Sequence, residues 1–262
     1  MIEETPLDLG QGLTGVLTRP DQPTRRPLWI LLNAGFVHRA GGFRLHVDLA
    51  RELAAQGFPV LRVDQPGVGD APPKRGDDIA VIAHGFDRLA EVIGADRFVI
   101  GGLCSAADQG WKIALADPRV CGLLLLDPYA KRGLWFRVGQ LKLLLGRGAA
   151  AVRTLLGRLM RRKRTVVIAE GDMRDWPPAA QARDDLARMA ARNVRVFALY
   201  TGGAAKYFTH RAQIGATFGA VAKHPAMHFE YWPDCDHMFM RQQDRRRLIQ
   251  AIRDWGEQAF GG

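Results

Sequence analysis

The stretch Gly102-Leu103-Cys104-Ser105-Ala106 constrains this chain more than any other. It follows the apolar run Arg97-Phe98-Val99-Ile100-Gly101 and precedes the helix-compatible segment Ala107–Leu115. Small residues on both sides of a nucleophile, set between a strand and a helix, let the backbone turn sharply. The central side chain then stands exposed above the end of a sheet. Here that side chain is a thiol. Such a turn needs a strand and a helix packed on one another, which points to an α/β fold.

The rest of the chain supplies the alternation that this turn requires. Leu28–Leu32 is short and continuously apolar, as a fully buried strand should be. Leu45, Leu49 and Leu53 give helical spacing over about 43–56, and Gly57 is a suitable stop. Strands are expected at 58–64, 98–100, 121–127, 194–200 and 227–232. Helices are expected at 77–93, 179–192, 208–219 and 240–257. Repeated strand-then-helix order implies a mainly parallel sheet with helices on both faces. At 262 residues, one core of this kind is the expected domain count.

In this order the elements resemble the α/β-hydrolase superfamily from roughly residue 10 onward. Leu31-Leu32-Asn33-Ala34-Gly35 takes the place of the family's oxyanion loop. Asp64-Gln65-Pro66-Gly67-Val68-Gly69-Asp70 is similar to its D-x-x-G-x-G-x-S segment, with Asp70 where serine is usual. Asp234-Cys235-Asp236-His237 resembles the late loop that bears the catalytic histidine. More narrowly, the Asn-Ala-Gly, Gly-Leu-Cys-Ser and Tyr-Thr-Gly-Gly segments resemble serine-aminopeptidase-like bacterial hydrolases, including exosortase-associated ones. The resemblance implies a core of residues 1–128 and 176–262 and a lid inserted at 129–175.

Cys104 is the expected nucleophile and His237 its expected base. A free thiol ionises only slightly at neutral pH, and a helix N-terminus and an imidazole both promote the thiolate. Ser105 is out of register for attack. Its amide is the expected oxyanion donor, together with one from Gly35 or Phe36, and its hydroxyl is a possible helix cap. His38, beside the oxyanion turn, is read either as a substrate contact or as a structural hydrogen-bonding group. His228 falls within a strand and His46 within a helix, so His237 leads by position.

The acid is where the sequence departs from the family. Thr201-Gly202-Gly203-Ala204-Ala205-Lys206 has no carboxylate where the turn usually carries one. Asp127, at the end of the preceding strand, is the expected substitute. Glu170-Gly171-Asp172, after Thr165-Val166-Val167-Ile168, ranks below it because accepting it leaves an extra strand before His237. A Cys–His dyad without an acid is a third arrangement, and Asp127 as an ordinary capping residue is a fourth.

The insertion is basic and apolar together. Eleven Lys or Arg residues lie between Lys131 and Arg164, and no Asp or Glu occurs from Pro128 to Ala169. Val152, Leu155, Leu156, Leu159 and Met160 share one helical face, with Arg153 and Arg158 elsewhere. A lid with solvated charges is one reading. An acyl-pocket wall facing an anionic membrane or an acidic carrier protein is the other. The net charge of +10 brings no nucleic-acid motif with it, so nucleic acid is not expected.

The three cysteines have no metal-ligand spacing and form no disulfide framework, so neither a metal nor a cofactor is expected. No long uncharged apolar run and no leader-like N-terminus are evident, which suggests the cytoplasm, with peripheral contact to the inner membrane as an option. The expected activity is acyl transfer through an acyl-Cys104 intermediate, from an ester or thioester to water or another acceptor. The alternative is a catalytically weak hydrolase-fold protein that binds an acyl ligand, a carrier or a membrane surface.

Overall fold

A computed structural model describes residues 3–73, 78–128, 130–146, 174 and 176–261. Eight strands form one sheet: β1 (Glu3–Asp8), β2 (Thr14–Arg19), β3 (Leu28–Leu31), β4 (Val60–Asp64), β5 (Phe98–Leu103), β6 (Val120–Leu126), β7 (Arg195–Thr201) and β8 (Met227–Trp232). Their order is β1-β2-β4-β3-β5-β6-β7-β8. The pairings β1·β2 and β2·β4 are antiparallel, and all others are parallel. The central strands β3, β4 and β5 are buried at every position. A parallel strand covered on both faces reads as an unbroken apolar run, which is why the sequence reveals these strands.

Strands β1 and β2 were not expected from the sequence. β1 alternates exposed and half-buried residues on the open edge of the sheet, so it carries no apolar run. Leu9 and Leu13, both buried, anchor the turn between the two strands.

Helices α1 (Leu45–Ala55), α2 (Asp78–Ile93), α3 (Ser105–Ala116), α4 (Leu134–Gly146), α5 (Ala179–Ala191), α6 (Ala212–Phe218) and α7 (Gln242–Phe260) complete the described elements. On one face, α1 and α7 enclose Trp29, Phe58, Phe197 and Trp255. Trp29 meets Trp255 and Phe58 edge-on, with ring centroids 5.5 and 5.9 Å apart. On the other face, α2, α3, α5 and α6 bury Phe86, Trp111, Tyr200 and Phe218. Each such side chain contributes roughly 1.5–3 kcal/mol on burial, so both faces hold the sheet's strand ends in place.

Helix α6 begins later than the apolar spacing suggests. The Gln213 carboxamide explains this: its oxygen accepts from the amides of Thr209 and His210, diverting them from helix, while its nitrogen donates to Lys131 and Tyr207 carbonyls. Helix α4 is tied to the rest of the fold at two points. The Thr209 hydroxyl donates to the Phe136 carbonyl at 2.9 Å, and Gln140 donates to the Ala205 carbonyl at 2.9 Å. Residues 152–160, 165–168, Glu170 and Asp172 lie outside the described residues.

Candidate active site

The turn at Cys104 is built by backbone geometry that few residues tolerate. Cys104 has φ 60° and ψ −118°, between β5 and α3. A positive φ at a residue with a side chain costs on the order of 1–3 kcal/mol and persists only where the surroundings enforce it. The Cys104 amide donates to the Leu126 carbonyl at 2.9 Å, and the Cys104 carbonyl accepts from Ala107 at 3.0 Å. Gly102 permits the close approach. A Cβ there would stand 2.9 Å from Ala106 Cβ and 3.2 Å from the Leu32 carbonyl oxygen.

Asp127 follows β6 and is fully buried, with φ 51°. Its Oδ1 accepts from the Thr201 amide at 2.6 Å, and its Oδ2 accepts from the Thr201 hydroxyl at 2.7 Å. The same Oδ2 lies 2.7 Å from His237 Nδ1. The carboxylate fixes Nδ1 as the protonated nitrogen, which leaves Nε2 for the sulfur. His237 and Cys104 share one cavity wall, and each shifts the titration of the other. The structure thus brings together Cys104, His237 and Asp127 from three separate strand ends. The turn after β7 has no carboxylate, and its first residue, Thr201, supplies two donors to the carboxylate one strand away.

The electrostatics favour a charged pair. Burial pushes the Cys104 thiol up, but the His237 hydrogen bond and the positive charges of Arg174 and His237 outweigh it, so the thiol sits below its ordinary value. Burial pushes His237 down, and its bonds to Asp127 and Cys104 more than offset this, so the imidazole is raised. The two shifts are coupled, and both act in the direction of a thiolate–imidazolium pair. The other cysteines behave differently. Burial raises the Cys121 thiol, and burial with nearby carboxylates pushes Cys235 up to about 11.

Cys104 and His237 open into a cavity of about 970 Å³. Leu103, Val37, Trp176, Pro177 and Met238 give it apolar walls, and Lys131, Arg132 and Lys206 add cationic groups. Gly35 and Ser105 also line it. The Gly35 amide donates to the Ser105 hydroxyl at 2.8 Å, so that hydroxyl reaches across to the oxyanion loop and is not the helix cap. The Ser105 amide helps to lower the Cys104 thiol.

Phe36, whose amide is the alternative to that of Gly35, has an 81% exposed side chain and is not part of the cavity wall. His38 also stays outside the wall: its Nε2 lies 3.4 Å from carboxylate oxygens of both Asp64 and Asp70, and its Nδ1 accepts from Ala40. The loop carries His38 away from the cavity because Arg39 is anchored by its amide and its guanidinium to Asp64.

Two more side chains reach the site without having been singled out by sequence. Arg174 contacts the sulfur, and Asp108 holds Arg174 in a two-pronged ion pair. Asp108 left a trace in the sequence, as a buried carboxylate one turn after Cys104 on the same helix. Arg174 left none, since its partner lies 66 residues away.

No protein-family model matches the sequence, and no curated protein matches it. Among solved structures, the chain is similar to 2,6-dihydroxy-pseudo-oxynicotine hydrolase, with a TM-score of 0.62 and 14% identity over 99% of this chain and 68% of that one. It is also similar to dienelactone hydrolase from Anabaena variabilis, with a TM-score of 0.56 and 12% identity over 99% and 98% of the two chains. An alpha-beta serine hydrolase homologue from Coxiella burnetii gives 0.57 and 12%, over 96% of each chain. At these identities the likeness is one of fold, and it agrees with the sheet order and the turn at Cys104: the chain has the α/β-hydrolase fold.

Proposed function

We propose that the chain is an acyl-transferring hydrolase that works through a covalent acyl-Cys104 intermediate. The observation that carries this reading is the Asp127–His237 pair beside Cys104, with the imidazole and the thiol both lining one apolar-walled cavity. The Cys104 thiolate attacks the acyl carbon, and a C–S bond forms as the carbonyl becomes an oxyanion. Collapse breaks the bond to the leaving group, which takes the His237 Nε2 proton. His237, now neutral, removes a proton from water or another acceptor. That nucleophile attacks the acyl-cysteine and releases the thiolate, while Asp127 stabilises the imidazolium throughout. The Ser105 amide is the first oxyanion donor in this reading, and Gly35 the second once the Ser105 hydroxyl moves off it.

A thioester suits the nucleophile best. Exchange of an acyl group between two sulfurs is nearly balanced, whereas drawing it from an oxygen ester onto cysteine is uphill. The apolar walls suit the acyl chain. Helix α4 exposes Leu134, Trp135, Leu141 and Leu145 beside Arg137 and Lys142, a combination that suits an anionic membrane surface or an acidic carrier domain. No helix among the described residues is long and apolar enough to cross a membrane.

A second reading, an acyl-binding protein with little turnover, draws on one observation: the Gly35 amide is already taken by Ser105. Intact-mass measurement after mixing with an acyl thioester separates the two. An acyl adduct on Cys104 that decays with product release supports the enzyme. Saturable binding with no adduct would overturn it.

A further inference from the structure

Arg174 is more tightly built into the site than its absence from any motif suggests. Its side chain is 8% exposed and that of Asp108 is 5% exposed. Nε and Nη2 donate to the two oxygens of the Asp108 carboxylate at 2.5 and 2.7 Å, a forked pairing that fixes the guanidinium plane. Nη1 and Nη2 also donate to the Asp127 backbone carbonyl at 3.4 and 3.3 Å. With the plane set this way, Nη1 lies 3.4 Å from the Cys104 sulfur. The Tyr207 ring flanks the guanidinium, and its hydroxyl donates to the same Asp127 carbonyl at 2.9 Å.

Asp108 stands one helical turn after Cys104, on the same helix. A buried carboxylate there opposes ionisation of the thiol unless a cation covers it. Arg174 covers it and places a donor 3.4 Å from the sulfur. The charged and titratable groups around the sulfur are then His237 from the loop after β8, Arg174 before α5, Tyr207 after β7 and Asp108 on α3. Asp127 acts behind His237, and Lys131, Arg132 and Lys206 stand in the cavity wall.

We propose that Arg174 is a catalytic residue of this site, holding the Cys104 thiolate through Nη1, and that Asp108 is the positioning residue that aims it. The inference rests on the acyl-Cys104 reading. Arg174 stays beside the sulfur in the acyl-enzyme, when the imidazole is neutral, so a fixed cationic donor is already in place when deacylation releases the thiolate.

The test is the pH dependence of Cys104 alkylation by iodoacetamide, resolved by peptide mass spectrometry. Arg174→Gln with Asp108→Asn together removes both charges and leaves two amides able to pair. If Arg174 holds the thiolate, this double variant raises the apparent thiol pKa by about one unit or more with an unchanged melting temperature. Alkylation at neutral pH then slows about tenfold per unit. A wild-type thiol pKa in the folded double variant would overturn the proposal, because Arg174 would then be only the counter-ion of Asp108. Arg174→Met with Asp108→Leu gives the same reading should the amide pair fail to fold. His237→Ala is measured alongside. If it too leaves the thiol unmoved, the acyl-Cys104 reading falls; if it shifts the thiol and the double variants do not, only the Arg174 assignment falls.

Discussion

Two charge networks sit at the ends of β4 and β6, with two strands between them in the sheet, and they use the same three kinds of side chain. At the end of β4, Asp64 gathers Arg39 and His38; just after β6, Asp127 gathers His237, with Arg174 on its carbonyl. Asp64 accepts from the Arg39 amide at 2.6 Å, from Asn33 at 3.0 Å and from the Asp70 amide at 3.1 Å, and pairs with the Arg39 guanidinium. Gly69, with φ 58°, lets its turn close on this carboxylate, since a Cβ there would come within 2.3 Å of Asp64 Oδ2.

The difference lies in what the far side of each imidazole meets. Both ring nitrogens of His38 are engaged by the surrounding loop. His237 spends only Nδ1 on a carboxylate and turns its remaining edge to a thiol in a cavity. One network fastens two turns together. The other holds a reactive pair in an open place. Buried charge by itself therefore identifies neither role; the unspent nitrogen does.

The largest effect that can break this comparison is at the sulfur. Cys104→Ala should abolish turnover with the melting temperature retained, and Cys104→Ser should keep only a trace. Brief treatment with limiting iodoacetamide should modify Cys104 before Cys121 and Cys235, whose thiols are both raised. Peptide mapping that finds Cys104 untouched while the others react would sink the proposed site.

His237→Ala should slow acyl transfer by roughly 10²–10⁴-fold and move the onset of Cys104 alkylation to higher pH. Asp127→Asn should act in the same direction with a smaller loss, because the ring keeps a neighbour but loses its charge. Steady-state rates across pH read both. Equal rates for Asp127→Asn and wild type would leave a Cys–His dyad.

Asp64→Ala should reverse the pattern, destabilising the fold by about 3–5 kcal/mol as buried donors lose their carboxylate, while surviving folded protein keeps a reactive Cys104. The donors hold the Asp64 carboxyl below its ordinary value despite burial. Its contribution is thus complete above the unfolded carboxyl value of roughly 3.9 and fades as pH falls through the lower folded value. Urea melts from pH 6 downward should show that acid limb in wild type and lose part of it in Asp64→Ala.

The smallest effect should come from His38→Ala. Its ring is partly exposed and lies only at the edge of the Asp64 network, so the cost should be within about 1 kcal/mol. A large loss of acyl transfer in this variant, with stability unchanged, would return His38 to the substrate side.

The reach of the sequence differs between these regions for a physical reason. Parallel strands buried on both faces announce themselves as apolar runs, and the turn at Cys104 needs small residues at fixed local positions, so both are written within a few residues of each other. The β1–β2 hairpin is half-solvated at the sheet edge and leaves no such pattern. Of the site, Cys104 and the His237 loop could be picked out from local context, and Asp127 by elimination of an empty turn. His38 could not be assigned, since its neighbours Asp64 and Asp70 come from another loop.

The sequence by itself determined the alternation, the position of the thiol and the absence of a carboxylate after β7. The tertiary structure decided which groups share one space. Thr201, 74 residues from Asp127, gives two donors to its carboxylate, and Arg174 crosses 66 residues to Asp108 before it can meet the sulfur. Local spacing encodes periodicity and backbone conformation, whereas these pairings depend on the order and stagger of strand ends in the sheet, and distance along the chain carries no record of that.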